Sequence, residues 1–152
     1  YPYYGANGKI DSVNDFIFDG NYILLAEDGG YFDDPSRRVA YEVSGKFWVN
    51  NHAHILSPCN QIFIKFLTYY LNTIHWMEYV TGTTRLKLTQ EGMKRVIIPL
   101  PPLEEQKRIA EILDRSQFLI SKRQEAIALL DTLTQAIFIE MFGDPVTNPR
   151  GW

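Results

Sequence analysis

"VIIPLPPLEEQKRIAEILDR" spans residues 96–115, and its middle decides how the chain is divided. Pro99, Pro101 and Pro102 interrupt any regular backbone pairing, because proline has no N–H to donate. Two of them, Pro101 and Pro102, suit the first turn of a helix, where a missing N–H costs nothing. Glu104 and Glu105 follow, and carboxylates favour the positive end of a helix dipole. Beyond them the steps alternate between four and three through positions 109, 113, 116, 120, 123, 127, 130, 134, 137 and 141. Ile109, Leu113, Ile120, Ile127, Leu130, Ile137 and Met141 make this a coiled-coil-type seam, interrupted by Ser116, Arg123 and Thr134. Gly143 stands at the place of a helix C′ residue. The spacing therefore predicts one long helix over about 102–142, roughly 60 Å long at 1.5 Å per residue. A helix of that length outruns a domain of about 100 residues, so its apolar stripe needs a second partner.

Upstream of the prolines the signals are short and β-rich. "YILLA" at 22–26 reads as a strand. Residues 39–43 and 47–56 read as two strands joined by a hairpin at Ser44-Gly45, where glycine supplies a positive φ. "QIFIKFLTYYLNTIHWMEY" carries apolar residues at intervals of three and four. It predicts an amphipathic helix over about 60–79 with Asn60 as its N-cap. "MKRVIIPLP" reads as a final buried strand. The fold class expected is α+β: a compact β-rich domain over 1–100, a long helix over 101–143 and a linker over 144–152.

The chain has 152 residues, is 45% hydrophobic and 14% aromatic, and so can bury a core. Its formal charge of −3 argues against a nucleic-acid partner, but the charges are segregated. Residues 46–100 hold Lys46, Lys65, Arg85, Lys87, Lys94 and Arg95 against only Glu78 and Glu91, and the first 45 residues are strongly acidic. The single cysteine, Cys59, makes no intrachain disulfide, fits a reducing cytoplasm and reads as buried and inert. No apolar run approaches the length needed to span a bilayer.

Three stretches are candidates for contact with DNA. "WVNNHAHIL" sets Asn50, His52 and His54 on one strand face, with Asn51 beside them; Asn can bond adenine and His can donate to phosphate. The bland alternative is a polar edge satisfied internally, and a metal site at His52 and His54 lacks a third ligand. "TGTTRLKLT" brings Thr83, Thr84, Arg85 and Lys87 onto a turn suited to phosphates, and a solvated turn is its alternative; Lys46, just before "WVNNHAHIL", is a further candidate from the basic stretch 46–100. Tyr3 and Tyr4 can stack on a nucleic acid or simply fill the core. The carboxylates of "EDGGYFDD", residues 27–34, match no defensible spacing for a divalent metal. No catalytic residue is assigned and no metal site is expected.

"PLPPLEEQKRIAEIL", followed by the long helix and "FGDPVTNPRGW", resembles the specificity subunit of type I restriction-modification systems. "YPYYGANGKIDSVNDFIFDG", "LLAEDGG" and "SGKFWVNNHAHIL" resemble a target recognition domain of that family. The resemblance implies a non-catalytic, cytoplasmic, prokaryotic DNA reader that directs partner subunits. In the family two recognition domains are held apart by two antiparallel helices, and each reads half of a split site. Modification subunits methylate adenine with S-adenosylmethionine, and restriction subunits translocate and cut DNA; ATP and magnesium belong with these partners, and no cofactor is expected in this chain. Only one recognition domain and one helix are present here, which makes the chain a fragment or a natural half-subunit, and its seam is expected to form an antiparallel homodimer. A helical adaptor without a DNA role, and a metal-dependent nuclease, are the competing readings.

Overall fold

A computed structural model of the chain describes residues 1–144, 146, 147 and 151. Of the expected linker, Pro145, Asn148, Pro149, Arg150 and Trp152 lie outside the described residues. The chain divides into two compact units, Tyr1–Ala110 and Glu111–Trp152.

The first unit is built on five strands: β1 (Pro2–Gly5), β2 (Gly8–Ser12), β3 (Phe18–Ala26), β4 (Ala40–Val49) and β5 (Ala53–Leu56). They form one sheet in the order β2-β1-β4-β3-β5, antiparallel throughout except for the parallel β1–β4 pair. β3 carries the longest apolar run, Ile23-Leu24-Leu25-Ala26, and all four are fully buried. Such a run marks a strand covered on both faces. Ile23 and Leu25 point into a core completed by Phe32, Leu67, Leu71, Trp76 and Leu88. Leu24, one step out of phase, points into a second core with Val43, Phe47, Val49 and Ala53.

Ser44-Gly45 is not a hairpin. β4 runs straight through it, and Gly45 pairs with Gly20 of β3. Both glycines have positive φ, 76° and 143°. A side chain would oppose this conformation on either strand, so the glycine pair is where the ribbon can bend. The bend is needed, because β4 leaves β3 near Phe18 whereas β5 rejoins it at Ala26. The four steps from Val49 to Ala53 reach at most about 14 Å, and a straight nine-residue strand is about 30 Å long. Curling brings Phe47, Val49 and Ala53 back onto Leu24 in one cluster. On the inner face Tyr41 donates its hydroxyl to the Gly5 carbonyl. Burial pushes its phenol up to about 12.

The helix expected over 60–79 is cut to α1 (Ile64–Leu71), followed by a 3-10 turn at Trp76–Glu78. Asn60 does not cap it; Phe63 occupies that place without a side-chain cap. Two side chains end the helix. Asn72 donates to the Thr68 carbonyl at 2.8 Å while its Oδ1 accepts from the Val39 and Ala40 amides at 2.9 and 3.1 Å. Trp76 Nε1 donates to the Leu71 carbonyl at 2.8 Å. Helical periodicity is blind to carbonyls that side chains capture. The expected strand in "MKRVIIPLP" is also absent. α2 (Gln90–Lys94) takes its first part, capped by Thr89, whose Oγ1 accepts from Gly92 N. Val96 and Ile98 pack on the core, Ile97 is 84% exposed, and no strand pairs with them. Cys59 is exposed, not buried, because it lies in the irregular link between β5 and α1.

α3 (Leu103–Phe142) begins directly after Pro102, whose carbonyl accepts from Glu105 N and Gln106 N. Gly143, with φ 82°, ends it by donating its N–H to the Ile139 carbonyl at 2.7 Å. Among its described residues only Gln106 and Ala110 are buried. Gln106 is fully buried although its side chain is polar, and each polar atom is used. Oε1 accepts from Phe63 N at 2.8 Å, and Nε2 donates to the Gln61 and Pro101 carbonyls at 2.9 and 2.8 Å. One amide thus holds the approach to α1, the proline segment and the first turn of α3. Truncation to Gln106→Ala removes three hydrogen bonds made by a fully buried amide and is expected to lower stability by about 2–4 kcal/mol. A urea melt reads this as a lower midpoint at unchanged slope; a loss below about 1 kcal/mol would contradict the assignment.

Candidate nucleic-acid interface

At one end of the sheet three segments meet. β3 runs out into Glu27-Asp28-Gly29, residues 50–52 link β4 to β5, and residues 81–87 form a closed loop. Thr81 and Lys87 tie the loop shut by exchanging backbone hydrogen bonds at 2.9 and 2.8 Å. The Leu88 amide donates to the Glu27 carbonyl, and the Glu27 amide donates to the His52 carbonyl, so β3 holds both neighbours through its own backbone.

The side chains converge as well. Asp28 Oδ1 lies 2.6 Å from Arg85 Nη2 and 2.8 Å from His52 Nδ1. Burial would raise the Asp28 carboxyl, but the bond from Arg85 and the neighbouring His52 outweigh it and hold the group below its ordinary 3.8. Glu27 Oε1 lies 3.0 Å from Lys87 Nζ, and its other oxygen is 3.8 Å from His54 Nδ1. Beside this cluster a concavity of ≈ 340 Å³ is lined by Lys9, Asp28, Asn50, His52, Arg85 and the β1–β2 turn.

The residues singled out in the sequence thus separate. Asn50, His52 and Arg85 are together; Asn51, Thr83 and Thr84 are exposed on the same two connections. Asn50, His52 and His54 do not share a strand face, because the first two lie in the β4–β5 link. Asn50 Oδ1 accepts from His52 N and shapes that link. His54, on β5, is nearly buried and its Nε2 lies 2.7 Å from the Leu88 carbonyl, which makes it a brace. Tyr4 packs against Tyr41 and Phe47, and Tyr3 lies half-buried on β1 opposite Trp48. Lys46, on β4, has its ammonium 4.5 Å from the Phe16 ring centroid. The positive balance of residues 46–100 is partly cancelled in space, since Arg85 and Lys87 meet acids from the first 45 residues. Among the described residues no group of three metal-ligating side chains occurs. Sequence reasoning missed Lys9 and the β1–β2 turn, although Asn7-Gly8 between two extended runs is a strong hairpin signal.

The loop depends on Gly82. Its φ is 92°, and a Cβ there would sit 2.4 Å from the Arg85 carbonyl oxygen. Gly82→Ala is expected to cost about 1–3 kcal/mol and to open the loop locally. Hydrogen exchange checks this: the Lys87 amide should lose protection while the β3 amides keep theirs.

Comparison with known proteins agrees with this architecture. Residues 1–129 match the model of the type I restriction modification DNA specificity domain. A relative named as a type I restriction enzyme specificity subunit, from Haemophilus influenzae, is 36% identical over 121 residues, covering 80% of this chain and 31% of its own. The specificity subunit of the type I restriction enzyme MpnII from Mycoplasma pneumoniae is 31% identical over 132 residues, covering 83% of this chain and 38% of its own. The chain therefore spans 31–38% of the length of these curated relatives. A solved structure from work on complex assembly and conformational transition of the type I R-M system superposes with a TM-score of 0.65 over 90% of this chain and 35% of that one, at 20% identity, a likeness of fold. With most of its length matched, the chain belongs to the type I restriction modification DNA specificity domain family.

Proposed function

We propose that this chain is a non-catalytic DNA reader that directs the methylating and cleaving subunits of a type I restriction-modification complex. The observation that carries this is the gathering of Lys9, Asn50, His52 and Arg85 around one concavity at the end of the sheet, in a chain of the specificity family. Amides can bond base edges, and guanidinium, ammonium and imidazole groups can bond phosphate. Asn51, Thr83, Thr84 and Lys87 flank the same place and belong to the proposed surface. Tyr3, Tyr4, Lys46 and His54 support it from within or lie apart. No described helix is long and apolar enough to cross a membrane.

The test is duplex binding across a salt series. Phosphate contacts release counterions, so affinity should fall steeply with salt. Changing Arg85 and Lys87 together to Ala should flatten the slope by about two units. An unchanged slope would place the DNA face elsewhere, and no binding at low salt would favour a helical adaptor.

The helix adds a second element to the proposal. Leu113, Ile120, Ile127, Leu130, Ile137 and Met141 are all exposed on α3, with Ile109 half-buried at its start. Each aliphatic side chain left in water forgoes roughly 1.5–3 kcal/mol. A second copy, running antiparallel about a two-fold axis, can cover the stripe with its equal. Such a pair presents two identical readers to a symmetric split site, with modification subunits docking on the polar faces. Light scattering at tens of micromolar is expected to give a dimer that Ile120→Asp dissociates; a monomer unchanged by that substitution would refute the pairing.

A further inference from the structure

Arg85 and Lys87, which face solvent at the proposed surface, are already paired with acids. Arg85 and Lys87 keep 62% and 50% of their side-chain surface exposed, whereas Asp28 and Glu27 beneath them keep 16% and 26%. The carboxylates come from the end of β3, the most deeply buried strand, and the bases come from the 81–87 loop. Backbone bonds from Leu88 to Glu27 and from Gly29 to Leu86 fix the two segments side by side. Two adjacent carboxylates thus take two bases and approach two imidazoles, which is the charge pattern a DNA phosphate would meet.

We infer that Glu27 and Asp28 are internal phosphate substitutes, which hold Arg85, Lys87 and His52 in place and weaken binding to DNA that lacks the target sequence. The inference rests on the DNA-reading function proposed above and assigns these two acids a part in its specificity. Any phosphate that engages Arg85 competes with Asp28 at 2.6 Å, so backbone contact alone gains little. Contact with bases in the adjoining concavity supplies the difference only on the right sequence. The device lowers sequence-independent affinity more than specific affinity, and so widens their ratio. It also keeps the side chains of Arg85 and Lys87 ordered on the 81–87 loop.

The test uses the whole chain and a labelled short duplex of random sequence, titrated over a salt series. Asp28→Asn and Glu27→Gln are each expected to tighten binding at low salt by about two- to fivefold, the range set by one exposed ion pair. The Asp28→Asn gain should vanish in an Arg85→Ala background, which a general change of charge or fold would not produce. Asp33→Asn removes the same charge from an exposed acid outside the cluster and is expected to change little. Circular dichroism checks folding, and Glu27→Gln alone decides if Asp28→Asn does not fold. Wild-type binding that neither substitution tightens, or an equal gain from Asp33→Asn, overturns the inference and leaves the DNA-reading function standing. Absence of binding by every form, including the two neutralised ones, overturns both.

Discussion

Everything in the first unit that leads to the long helix passes through the side chain of Gln106. A neutral amide carries both donors and an acceptor, and here all three bonds go to backbone groups of separate segments. Asp or Glu would bring only acceptors, and an apolar residue would make none of the three bonds. The prolines make this necessary. Pro99, Pro101 and Pro102 have no N–H, so the segment has few bonds of its own to hold it against α1. The amide supplies them from the first turn of α3. Ala110, one turn further on, is the last buried residue of the helix, and the first unit ends there.

A second constraint acts within the sheet. The Gly20–Gly45 pair allows β3 and β4 to curl, and the curl returns the β4–β5 link to the end of β3. Without it Asn50 and His52 would sit near Phe18, far from Asp28 and the 81–87 loop. The candidate interface is therefore a product of backbone shape. Segments far apart in sequence contribute one or two side chains each, and the buried strand β3 holds them in register.

The long helix was legible in the sequence because its determinants are local. Two prolines, two acids and a seven-residue repeat lie in order, and Gly143 ends the run. The strand at β3 was legible for the same reason. The errors occurred where a distant group decides the outcome. Asn72 bonds backbone more than thirty residues away and stops a helix whose periodicity continues. Gly45 has the chemistry of a turn, but its partner is Gly20, so it bends a strand instead. Of the candidate site, Asn50, His52 and Arg85 were found by residue type, while their partner Asp28 was set aside as a surface acid. Counting charge along the chain suggested a free basic stretch; pairing across the fold removes part of it.

These constraints converge on one claim, that the chain selects a DNA sequence for modification. Methylation directed by the proposed complex would mark such selection on host DNA, so the host methylome tests the claim most directly. Single-molecule sequencing of host DNA, with the gene intact and disrupted, compares the methylated motifs. The account predicts that one split motif loses methylation when the gene is disrupted and regains it on complementation. Identical methylomes, in a host whose modification subunits are expressed and active, would contradict it.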